Sequence, residues 1–87
     1  MNTEKTVYRV IRWTGRKQTT IHETKPFDGK DFDADNTEYR NARREYNDYT
    51  MKLWTAGYFV TGEGIIYAAE GAMPTGRVEI VRETATV

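Results

Sequence analysis

Hydrophobic and polar positions change period twice along this chain, from two to three-and-four and back to two. Residues 6–13 read TVYRVIRW. Their β-branched and aromatic side chains predict a strand. Successive strand side chains point to opposite sides. One face therefore carries Val7, Arg9, Ile11 and Trp13, and the other Tyr8, Val10 and Arg12. Neither face is wholly apolar, so each should be half-covered. Thr14-Gly15-Arg16-Lys17 suits a turn. Residues 17–24, rich in Thr and Lys, suit a solvated edge strand. Residues 25–35 contain Pro26, Gly29 and four aspartates and read as a loop, with Phe27 and Phe32 pinning it to the body of the domain.

The helical period comes next and is the clearest signal. Asp35 with Glu38 three residues later matches a capping box, with Asp35 as the N-cap. Tyr39, Ala42, Tyr46, Tyr49 and Leu53 then recur at helical spacing and share a stripe of roughly 80°. Arg40, Asn41, Arg44, Asp48 and Lys52 fall on the far side. Gly57 stands where a left-handed C-terminal cap belongs. One amphipathic helix is predicted over residues 36–56.

The period of two then returns. Residues 58–60 and 65–69 are strand-like, and Thr61-Gly62-Glu63-Gly64 between them is a hairpin turn or a bulge in one longer strand. Residues 71–76, with Pro74, predict a turn. Residues 77–83 predict the last strand, with Val78 and Ile80 on one face and Glu79, Val81 and Glu83 on the other. The expected fold is α+β: a small antiparallel sheet of four to five strands in the order β-β-α-β-β, with the helix packed on one face. All 87 residues form one domain, with residues 1–5 and 84–87 expected to fray. A chain this short buries only about 60–65% of its unfolded surface, so the core is thin and an oligomer would stabilise it.

Charge changes this picture little. There are 13 basic and 13 acidic side chains, so global attraction to nucleic acid or anionic membrane is not indicated. The signs are segregated, however. Residues 1–17 are basic, 18–38 acidic, 39–52 basic and the rest acidic. Cysteine is absent, which excludes disulfides, thiolate catalysis and Cys-based zinc sites. The first residues are polar and no apolar run approaches the ~18 residues that span a bilayer. The expected compartment is the cytoplasm, of the cell itself or of an infected host cell, with no membrane partner.

Candidate chemistry is sparse. Asp31, Asp33 and Asp35 begin like an EF-hand loop, but Asn36 stands in place of the glycine and Ala42 in place of the bidentate glutamate. No metal site is expected. His22 is the single histidine and reads as a surface group. Gly62-Glu63-Gly64 and Thr14-Gly15-Arg16-Lys17 lack the context of nucleotide loops and read as turns. No nucleophile–base pair or cofactor loop appears, so neither enzymatic activity nor a cofactor is expected. What remains is Arg with aromatics. Arg9, Arg12 and Arg16 gather on the first hairpin with Trp13, and Arg40, Arg43 and Arg44 early in the helix. Trp54 lies off the apolar stripe near Arg43. These eight are the candidate partner-binding residues, since Arg and Trp dominate interface energetics.

The expected function is a small non-enzymatic binding protein that acts through a protein or ligand-binding surface, as a homo-oligomer. Chains of this style are common among phage and mobile-element accessory proteins, some of which inhibit or sequester a host defence component. Two alternatives use the same residues. One is a nucleic-acid-binding protein using the Arg9, Arg12, Arg16 hairpin or the Arg40, Arg44 helix face. The other is a pocket for a phosphorylated small molecule or nucleotide signal.

Overall fold

A computed structural model describes residues 4–68 and 71–86. Its elements are β1 (Glu4–Thr14), β2 (Lys17–Glu23), α1 (Phe32–Thr55), β3 (Phe59–Val60), β4 (Ile65–Tyr67) and β5 (Pro74–Thr86). The strands form one five-stranded sheet in the order β2-β1-β5-β4-β3, and every neighbouring pair is antiparallel. The fold is the expected α+β type, with the chain order β-β-α-β-β-β. Among the described residues, no helix is long and apolar enough to cross a membrane.

The first hairpin closes through Gly15 and Arg16, with Thr14 opposite Lys17. Gly15 takes φ 63, the left-handed value needed at the first central position of a type II′ turn. Residues 61–64 are likewise a hairpin turn, not a bulge, since β3 and β4 pair with each other.

β5 is longer than its sequence suggests. Pro74 and Gly76, expected in a turn, already pair with Tyr67 and Ile66. Proline is compatible with this place because it is the first residue of the strand. The chain ends also depart from expectation. Glu4 pairs with Thr86 and Lys5 with Ala85, so residues expected to fray supply each other's ladder partners. The frayed ends predicted for residues 1–3 and 87 lie outside the described residues, as does Ala69 of the predicted strand.

The helix begins at Phe32, a turn earlier than the expected start at residue 36. Asp31, not Asp35, is the N-cap, and its carboxylate accepts from the N–H groups of Asp33 and Ala34 at 3.1 and 3.2 Å. This start places Asp33 and Asp35 in the first turn, where the positive end of the helix dipole favours them. Phe32 does not pin the loop: as the first helical residue it is 76% exposed. Phe27 does so alone. It is buried, exchanges backbone bonds with Thr6 at 2.7 and 2.9 Å, and stacks on Tyr8. At the other end Tyr58 N–H reaches Leu53 O at 2.9 Å and Gly57 N–H reaches Trp54 O at 3.0 Å. With Gly57 at φ 96, this is the Schellman arrangement.

The predicted stripe faces the sheet. Ala42, Tyr46 and Leu53 are buried against Tyr8, Val10, Val60, Ile66 and Val78. Tyr49 is half-buried, and Tyr39, at the margin of the stripe, is 44% exposed. The opposite sheet face carries no second layer among the described residues. Val7 and Ile11 are nevertheless buried there. Their ladder partners are Glu83 and Glu79, and Arg9 and Trp13 flank them along β1. Long side chains lie their apolar stems over the valine and isoleucine while keeping their heads in water.

Leu53→Ala should destabilise the fold by about 2–4 kcal/mol through lost burial and a residual cavity, whereas Arg44→Ala should leave the urea midpoint unchanged. Asp31→Ala should cost about 1 kcal/mol as a lost cap. A silent Leu53 change in equilibrium urea unfolding would mean that the stripe faces water.

Candidate binding surface

Three strands bring a single row of side chains across the uncovered face of the sheet. Trp13 is opposite Arg77, and Arg77 is opposite Ile65. The hairpin turn carries Arg16 alongside. With Pro74 these residues line a shallow pocket of about 600 Å³. Gly76 closes its floor. A Cβ there would collide with the backbone carbonyl of Trp13, so only glycine lets β5 approach β1 this closely.

The row is ordered by one carboxylate. Glu79 accepts from the Trp13 indole N–H at 3.3 Å and forms an ion pair with Arg77 Nε at 3.2 Å. The Arg77 guanidinium lies 5.4 Å from the Trp13 ring centre, within cation–π range. Its terminal nitrogens remain available, and Arg16 has no side-chain partner among the described residues. The result is an aromatic plane and an apolar wall beside two guanidinium groups. Such a site suits a partner that joins an apolar or aromatic group to a carboxylate or phosphate.

The other candidates go elsewhere. Arg9 lies on the same face but donates to both Glu83 oxygens at 3.0 Å and to Thr20 Oγ1 at 2.6 Å. Arg12 points to the helix side, donates to Tyr49 Oη at 2.8 Å and lies 6.0 Å from the Tyr58 ring centre. The basic hairpin is thus divided between two faces by strand alternation, and two of its three arginines are engaged internally. Arg43 covers the Tyr46 ring at 4.9 Å, and Arg44 donates to Asn41 at 2.6 Å. Arg40 is exposed on the outer helix surface. Trp54 is 49% exposed, edge-on to Phe59. Trp13 and Arg16 are therefore the candidates that the fold joins at this pocket, while Arg43 and Trp54 meet in a smaller cleft with Val60 and Gly62. Sequence reading missed Arg77, Ile65 and Pro74. Their alternation was visible, but the register that sets them beside Trp13 was not.

A second polar cluster was also missed. Tyr8 donates its hydroxyl to Asp35, and Arg82 donates to Asp35 at 3.2 Å and to Gly29 O at 3.3 Å. Asp35 is thus a tie between helix and sheet rather than a cap. Burial, and then the bond to Asp35, push the Tyr8 hydroxyl above its ordinary value of 10.0. Among the described residues no group of three or more His, Asp or Glu side chains could hold a metal ion. No known family model matches the chain, and neither the curated proteins nor the solved structures provide a significant match.

The Tyr8 cluster makes stability fall at alkaline pH. A hydroxyl whose folded value is raised stabilises the fold fully below the unfolded value and loses that contribution as pH rises through the folded one. Tyr8→Phe should therefore be about 1 kcal/mol less stable at pH 7. The gap to the native chain should close as pH climbs above 10.0. Paired urea titrations across that range measure it, and a gap independent of pH would assign the loss to packing alone.

Proposed function

We propose that the protein is a non-enzymatic binding module that holds an acidic, partly apolar segment of another protein at the Trp13, Arg16 and Arg77 end of its sheet. The observation that carries this reading is the convergence of an indole and two guanidinium groups with apolar Ile65 and Pro74 in one open pocket. Aromatic and arginine side chains are over-represented among the residues that carry interface binding energy. The pocket is too shallow to enclose a substrate, and the Trp13 and Arg77 side chains are already ordered by Glu79, so little entropy is lost on docking. A module of this kind acts by occupancy, the mode of a phage or mobile-element accessory protein that inhibits or sequesters a host component in the cytoplasm.

The same pocket supports a second reading, a phosphorylated small molecule or nucleotide stacked on Trp13 with its phosphate on Arg16. An extended nucleic-acid track has weaker support, because Arg9 and Arg12 have internal partners.

Affinity capture from host cells tests the first reading. Arg16→Glu should weaken retention of the partner by about tenfold or more, while Arg44→Glu on the helix should retain it. Equal capture by both variants would move the binding surface elsewhere. A stabilising shift with a nucleotide panel, lost in Arg16→Glu, would select the second reading.

A further inference from the structure

The sheet is notched along β5. β4 pairs with β5 only as far as Arg77, and the Val78 N–H closes the array on Gly64 O at 2.8 Å. From Glu79 to Thr86, β5 pairs with β1 alone among the described residues. Strand residues direct their backbone groups alternately to the two sides. Thr6 and Tyr8 bond Phe27 and Thr24 on the β2 side, so the odd residues of β1 bond β5. Their partners on β5 are also odd. Ile80, Arg82 and Thr84 therefore aim their N–H and C=O groups outward, as Val78 does, and none of them has a backbone partner there among the described residues.

This edge carries charge at Glu79, Arg82 and Glu83 but lacks the other usual protections. Residues 79–86 contain no Pro and no Lys, and their pairing with β1 has no register shift. Ile80, Val81, Thr84 and Thr86 are β-branched. Such an edge is a template for another strand. β2 at the opposite edge carries Lys17 and a register shift.

The helix flank above the notch is aromatic. Phe32, Asn36, Tyr39, Arg43 and Trp54 fall within roughly 60° at 3.6 residues per turn. Arg43 and Trp54 line a cleft with Val60 and Gly62, beyond β5, whereas Glu38, Asn41 and Glu45 line the cleft against His22 and Glu23 of β2. The flank with Phe32 and Tyr39 is thus the one on the β5 side.

We propose that this edge pairs with the same edge of a second copy of the chain, antiparallel about a twofold axis at Glu83. Three features select a second copy. The first is register. β3 and β4 lie on this side of β5, so the second copy must place its own Val78 past the end of the strand. An axis at Glu83 does so, setting Arg82 opposite Thr84 and Ile80 opposite Thr86. The second is spacing. Asp35 ties the first turns of α1 to Tyr8 of β1 and Arg82 of β5. Two β5 strands about 4.8 Å apart then hold the two helix starts roughly 10 Å apart, the distance of packed helices. A twofold axis normal to the sheet makes them antiparallel, so Tyr39 meets Phe32 of the other copy. The third is charge. Asp28, Asp31 and Asp33, with one Lys30 among them, lie at or just before the helix start, and Arg40 and Arg43 follow within the next turns. Antiparallel helices set the aspartates of each copy against the arginines of the other. On the far face the two Glu83 side chains meet at the axis, each held by its own Arg9 at 3.0 Å.

Sedimentation equilibrium reads the mass directly. The native chain should sediment at twice 10.1 kDa, and a single-chain mass at high concentration overturns the proposal. Thr84→Pro removes one outward N–H and no β1 bond, a change that edge strands accept. It should give the single-chain mass with an unchanged circular dichroism spectrum, and a folded variant that stays dimeric overturns the interface. A cysteine-free chain permits a second test. Residues at the axis lie about 4.5 Å apart between Cα atoms, so Glu83→Cys should oxidise to a linked dimer while Thr19→Cys on β2 stays single. The reverse pattern would assign the contact to β2 and overturn the proposal.

Discussion

Ten consecutive residue pairs join β1 to β5, from Glu4 opposite Thr86 to Trp13 opposite Arg77, and the other elements are attached to that ladder. β1 gives its second edge to β2, and β5 gives the start of its own to β4. The helix crosses both. The ladder is also the most non-local contact in the chain, because it joins the two ends of the sequence. Its loop-closure entropy must be offset by burial on both faces. Tyr8, Val10 and Val78 supply that burial beneath the helix, and Val7 and Ile11 supply it on the other side.

The two faces are protected differently, and this difference creates the candidate binding surface. On one side the core is closed by Ala42, Tyr46 and Leu53. On the other, apolar residues are shielded by paired charges, Arg9 with Glu83 and Arg77 with Glu79. Surface ion pairs of this kind contribute little stability. Their effect is to fix long side chains in place over Val7 and Ile11 and to orient Trp13. A neutral chain with segregated charge is suited to this, since each arginine of β1 and β5 on the open face has a glutamate of β5 within reach.

Asp35 illustrates how the same residue type divides into roles that sequence spacing does not separate. Asp31 and Asp35 are both cap-competent, and Glu38 made Asp35 the better match to a capping box. Asp31 caps because the chain turns toward the sheet at Phe27 and Gly29, which sets Asp35 against Tyr8 and Arg82. A carboxylate with two donors on the sheet is better used as a tie than as a cap that Asp31 can equally provide.

The sequence alone determined the amphipathic helix, its apolar stripe, its glycine stop, the first hairpin turn and the faces of β1 and β5. Each follows from local periodicity or from backbone freedom at one residue, Gly15 or Gly57. Tertiary structure decided the rest. Which strands are neighbours, where β5 begins, whether the chain ends are paired, and which arginines remain available all depend on register. Pairing is set by contacts between residues distant in sequence, and a shift of one residue would reverse every face. Trp13 and Arg16 could be named as candidates from their chemistry. Arg77 and Ile65 joined them only because the ladder of β1, β5 and β4 sets them in one row.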